Sequence, residues 1–130
     1  MRDLVSNVKA TPGWAGATIS TNTDTTSTIV IDRQGFDSVA FALYCGTRTD
    51  GSYLLKIMES DNADGVTGAT EVAKYQSQGT MNTSNSVGKV GAALTKRYCT
   101  LRITSSGVTT GAVFKGAVAL LGNPVIAPVA

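Results

Sequence analysis

The stretch "RYCTLRITSSGVTTGAVFKGAVALLGNP", Arg97–Pro124, decides the fold. Apolar residues alternate, a short Ser/Gly/Thr turn interrupts them, and the alternation resumes until Gly122-Asn123-Pro124 stops it. A period of two is the mark of a strand, so the segment reads as two strands and a turn. Cys99, Leu101 and Ile103 fall on one face, with Tyr98, Thr100 and Arg102 on the other. In the second strand, Phe114, Val118 and Leu120 oppose Val113, Ala117 and Ala119.

The same pattern extends upstream. "TSTIVIDRQGFDSVAFALYCG", Thr26–Gly46, holds two strands around the turn Asp32-Arg33-Gln34-Gly35. Val39, Phe41, Leu43 and Cys45 share one face; Ala40, Ala42 and Tyr44 share the other, which is not polar. A strand apolar on both sides is central in a sandwich or covered by a partner. Asp50-Gly51 is a turn signal. "SYLLKIMES", Ser52–Ser60, sets Tyr53, Leu55 and Ile57 against Leu54, Lys56 and Met58. "ATISTNT" alternates weakly, "ATEVAKYQ" is a short strand, and "SQGTMNTSNSVG" is a polar loop. "VGKVGAAL" is rich in glycine and is expected to be short or irregular.

About eight short strands with no helical periodicity predict an all-β chain, an antiparallel β-sandwich of jelly-roll-like type. The expected core is Phe41, Leu43, Leu55, Ile57, Leu101, Ile103, Phe114 and Val118. Residues 16–122 form the expected domain, flanked by an N-terminal arm, 1–15, and a C-terminal tail, 123–130. Both ends carry apolar side chains, namely Leu4, Val5, Val8 and Trp14 before the domain, and Val125, Ile126 and Val129 after it. These seven are the candidate partner contacts. Trp14 has a second reading, as a cap on the end of the core.

Composition narrows the function. The chain has 130 residues, enough for one domain to bury about two-thirds of its unfolded surface. Only 15% of residues are charged, and the net charge of +2 is too weak a bias to argue for nucleic acid. No apolar run reaches the roughly 18 residues of a membrane span, so no membrane partner is expected. Asp3 and Lys9 interrupt the N-terminus where a signal peptide needs an apolar run, which points to synthesis and retention in a cytoplasm. The chain has no histidine, which rules out Ser-His-Asp and Cys-His arrangements. No glycine-rich segment has phosphate-loop spacing. Glu59 and Asp61 are paired carboxylates, but too few aromatic residues accompany them to line a sugar cleft. Cys45 and Cys99 each lie in an apolar strand pattern and read as buried free thiols. Ser60–Glu71 nearly matches a calcium loop, with Asn62, Asp64, Gly65 and Glu71 in register. It lacks the leading carboxylate and the flanking helices, so it reads as a solvated hairpin loop. No catalytic, cofactor or metal residue is assigned.

Two segments carry a resemblance: "DRQGFDSVAFALYCGTRTDGSYLLKIMESDNADG", from Asp32, and "SVGKVGAALTKRYCTLRITSSGVTTGAVFKGAVALLGNP", from Ser86. Through Gly35, Phe36, Ser38, Phe41, Gly46, Asp50, Gly51, Glu59, Ser60, Asp61, Gly65, Val87, Gly88, Lys96, Arg97, Tyr98, Gly107, Gly111, Gly122 and Pro124, the chain resembles small proteins of tailed bacteriophages encoded among capsid and head-assembly genes. The resemblance spans residues 29–124 and departs at Ala92 and Cys99. It implies a non-enzymatic virion structural protein. The leading expectation is a decoration or cement protein on the capsid surface, assembled in the host cytoplasm, with the major capsid protein as partner and a homo-oligomer, dimer or trimer, as its state. The alternatives are a head–tail completion or minor tail component, and, from another class, a carbohydrate-binding module.

Overall fold

The computed structural model describes residues 8–72, 76–77 and 80–124, and these are strands and connecting turns with no helix among them. The strands are β1 (Lys9–Trp14), β2 (Ala17–Ile19), β3 (Asp24–Thr26), β4 (Ile31–Asp32), β5 (Phe36–Arg48), β6 (Ser52–Ser60), β7 (Thr70–Glu71), β8 (Gln76–Ser77), β9 (Thr80–Met81), β10 (Ser86–Ala93), β11 (Tyr98–Ser106) and β12 (Ala112–Pro124). They form two antiparallel sheets. Sheet A runs β1-β12-β5-β10-β8, with β2 continuing β1 along β12. Sheet B runs β3-β11-β6-β7, with β4 beside β11 and β9 beside β6. Taken as broken halves, β1 with β2, β3 with β4 and β7 with β9 complete a double-sheet jelly roll, with β8 added at one edge of sheet A.

The core lies between the sheets. Val39, Phe41, Leu43 and Cys45 of β5 face Tyr53, Leu55 and Ile57 of β6, and Cys99, Leu101 and Ile103 of β11 complete the layer. Alternation in these strands follows the sequence, because pleating sends successive side chains to opposite faces. Phe114 sits at the centre of an aromatic cluster, 5.0 Å from Tyr53 in edge-to-face contact and 6.0 Å from Trp14.

Several expectations are corrected here. The Arg97–Pro124 segment is two strands and a turn, but the strands do not pair with each other: β11 belongs to sheet B and β12 to sheet A, so the turn crosses between layers. The same holds for the turn at Asp50-Gly51, which links β5 in sheet A to β6 in sheet B. Val118 is not in the core but exposed, at 47%. The cause is a bulge in β12 between Phe114 and Gly116, which pair with the adjacent Cys45 and Tyr44. One extra residue flips the side of everything after it. Ala117, Ala119 and Leu121 therefore point inward, and Val118 and Leu120 outward. Gly116 accommodates the bulge at φ 136°.

The glycine-rich segment expected to be irregular is β10, a regular strand paired with β5 from Ser86 to Ala93. A Cβ at Gly88 would collide with the Met81 thioether, so glycine here admits Met81 to the core. The strand expected at 69–76 is two short pieces: β7 lies in sheet B and β8 in sheet A. Residues 9–14, expected within the N-terminal arm, form a strand. Lys9–Trp14 is an edge strand of sheet A paired with β12, and β12 reaches Pro124 opposite Phe36.

Turn chemistry closes the ends of the sandwich. At one end the Asp50 carboxylate accepts hydrogen bonds from the backbone N–H groups of Thr109, Thr110 and Gly111, at 2.8–3.1 Å. It bolts the β5–β6 turn to the β11–β12 turn. The N–H donors of Thr110, Gly111 and Thr109 hold its carboxyl below the ordinary carboxylate range. At the other end the buried Glu59 caps residues 95–96, accepting from the Thr95 hydroxyl and from both backbone N–H groups. Arg97 grips Asp32 there through two bonds, at 3.0 and 2.8 Å.

Candidate interaction surface

The residues singled out at the termini separate once the fold is known. Trp14 is buried at 8% and packs on Phe114, so it serves as a wall of the core. Val8 is half-buried just before β1. Leu4, Val5, Val125, Ile126 and Val129 lie outside the described residues.

The most unusual surface is one that pairing register assembles, the outer face of sheet A. Residues directly opposite in a sheet share a face, so rows can be read straight across it. One row is Pro12, Val118, Ala42 and Lys89; the next is Ala10, Leu120, Ala40 and Gly91. Beyond them lie Gly116, Tyr44 and Val87 on one side, and Gly122, Ser38 and Ala93 on the other. Lys89 is the single charged residue of these four rows. Val87 is 57% exposed, Tyr44 43% and Leu120 37%. The relief is shaped as well. Val118 and Leu120 form a ridge along β12, and Ala40 and Ala42 form a trough along β5 beside it.

Among the described residues, no comparable band lies on the outer face of sheet B. There Arg102 stands opposite Lys56 and Thr26, and Thr104 opposite Leu54 and Asp24. The guanidinium of Arg102 donates to the Thr26 hydroxyl at 3.0 Å, and the Thr104 hydroxyl donates to Asp24 at 2.7 Å. The 61–69 loop folds over the apolar part. Gly65 comes close to Thr100 and Val30, and Met58 and Thr100 are buried beneath it. A hollow of about 100 Å³ remains, lined by Thr26, Met58, Gly65, Val66, Ala69, Thr100 and Arg102. The Thr100 hydroxyl oxygen is buried with no hydrogen-bond partner among the described residues.

The near-calcium loop spends its oxygens on itself. Ser60 is fully buried, donating to the Thr67 carbonyl and accepting from the Asn62 N–H. Asp64 accepts from the Thr67 hydroxyl and from the N–H groups of Thr67 and Val66, which lowers its pKa. The two thiols sit in the core, in different sheets, and burial pushes Cys99 up to about 12. A thiol held so high supplies no nucleophile near neutral pH.

Sequence reading noticed the apolar second face of β5 but missed the ridge beside it. The missing signal was the Lys115-Gly116 pair, where a bulge turns Val118 and Leu120 outward. The chain matches no protein-family model and no curated relative.

Proposed function

We propose that the protein is a non-enzymatic structural subunit of a tailed-bacteriophage particle, a decoration protein of the capsid shell. One observation carries the reading: among the described residues a four-strand-wide, largely apolar face of sheet A stands uncovered, while the outer face of sheet B carries Arg102, Lys56 and Asp24 and lies partly under the 61–69 loop. Contiguous exposed apolar surface larger than a few hundred Å² is rare on monomers and often functional. An interface patch is depleted in charge at its centre, and here Lys89 lies at the side. The likeness of residues 29–124 to head-assembly proteins supplies the setting. The apolar residues at 1–8 and 125–130 supply attachment segments to the major capsid protein. A protein that binds the assembled shell and not its dissociated subunits stabilises the shell by mass action.

The test is copy number together with reconstitution. Purified particles should carry the protein in hundreds of copies, a number that follows capsid geometry, and particles made without it should bind it saturably and rupture at a higher temperature. Six or twelve copies per particle would move it to the head–tail junction, and failure to bind would overturn the reading. Attachment is separable from folding. Deleting 1–7 or 125–130 should reduce particle binding and spare the melting temperature, whereas a cut through Lys9–Trp14 removes a strand of sheet A.

A further inference from the structure

We infer that the outer face of sheet A is covered by a second copy of the same chain, packed face to face about a two-fold axis between β5 and β12. The inference deepens the reading of this face as a protein interface and rests on it.

The geometry follows from the rows. In sheet A the order β1-β12-β5-β10 sets ridge and trough on adjacent strands. Rotation about an axis that lies between the two faces, along the strands and midway between β12 and β5, keeps each row level and reverses its order. The β12 of the second copy then lies over the β5 of the first, and the reverse holds at the same time. Its Val118 meets Ala42, and its Leu120 meets Ala40. Its Lys89 lies over Pro12, so that the alkyl stem covers the proline and the ammonium stays at the rim. Its Tyr44 meets the bulge glycine, Gly116. Val118, Leu120 and Tyr44 each land on a small residue and Lys89 on a proline, and Lys89 never meets its own copy. A surface that is its own complement in this way is what an isologous contact requires. Strand directions agree at the axis, within the roughly 30° at which twisted sheets pack.

The area sets the class of contact. Four strands at about 4.8 Å and four rows at about 6.8 Å cover roughly 500 Å² per copy. The total of about 1,000 Å² is at the lower bound of specific interfaces, well short of an obligate dimer. The expected state is a weak, reversible dimer. On a particle, where copies sit side by side, local concentration favours it.

Sedimentation velocity across a concentration series tests it. The full chain should pass from monomer to dimer. Ala42→Glu and Val118→Lys should each weaken self-association by more than about thirty-fold, because each buries unpaired charges twice across the two-fold. An equimolar mixture of the two variants should dimerise again, since one contact becomes a Glu–Lys pair and the other stays native. That recovery also shows that both variants are folded. Ser106→Glu, on the far sheet, should leave association unchanged. A wild-type chain that stays monomeric up to millimolar concentration overturns the proposal, as does a mixture that fails to recover. If the chain is monomeric and the same variants lose particle binding, the face is an interface to the shell and only the dimer fails. If neither property changes, the reading of the face fails too.

Discussion

On the outer side of sheet A, Val118 and Leu120 stand in solvent; on the outer side of sheet B, Met58 and Thr100 lie under the 61–69 loop. The inner sides of the two sheets are alike, both lined by alternate apolar residues of long strands. Among the described residues, the chain thus builds a cover for one sheet and none for the other. The cover is also made at a cost. The loop buries the Thr100 hydroxyl without a partner, whereas the open face of sheet A buries no orphan of that kind among the described residues. A face closed by the chain is fixed at folding, and a face left open is available for assembly.

The comparison can be broken first at the shared core. Leu43→Ala in sheet A and Leu101→Ala in sheet B, both fully buried, should each cost about 2–5 kcal/mol by chemical denaturation. A loss in only one of them would mean that the inner faces are not alike. Outside the core, Met58→Ala should cost about 2 kcal/mol, because the lid makes that position interior. A smaller loss, as at exposed sites, would show the loop to be a poor cover. Thr100→Val keeps the shape and removes the orphan hydroxyl, so it should raise stability by about 1 kcal/mol. Val118→Ser should change the stability of the isolated domain by less than about 0.5 kcal/mol, as expected for an exposed side chain.

The mildest effect expected is acid sensitivity at the Asp50 bolt, which serves both sheets. Its pKa is lowered in the fold, so the carboxylate contributes fully above the ordinary value of about 3.9 and loses that contribution as pH falls through its folded value. The melting temperature of Asp50→Asn should lie below that of the wild type near neutral pH, and the gap should close below about pH 4. A gap that persists in acid would assign the effect to shape and not to charge. Asp32 and Asp64, also lowered, contribute equally to both proteins and cancel in the difference.

The sandwich was legible in the sequence wherever alternation ran unbroken, as in Tyr53-Leu55-Ile57 and Cys99-Leu101-Ile103. Strand partners were not, since periodicity says which face a residue takes and nothing about which sheet receives the strand. A short turn at Asp50-Gly51 or Gly107–Gly111 serves a hairpin and a layer crossing equally well. The misplaced Val118 has a local cause, the extra residue at Lys115-Gly116, which no period-two pattern registers. β10 escaped because Gly88 and Gly91 lower its β-propensity, and their reason lies elsewhere in the chain, in Met81, Val39 and Ala40. The exposed apolar face of sheet A could not be read for the same reason: its rows join residues from β1, β5, β10 and β12 that only pairing brings level.

The place of β12 in sheet A joins distant parts of the chain. It lies between β1 and β5, and among the described residues it is the last strand in the sequence. Until it is in place, β1 has no neighbour in sheet A to pair with, and one edge of β5 is open. Sheet A therefore closes only when Lys9–Trp14 meets Ala117–Leu121, and long-range pairing of this kind folds slowly. A chain cut before β12 exposes the edges of β1 and β5 that β12 pairs.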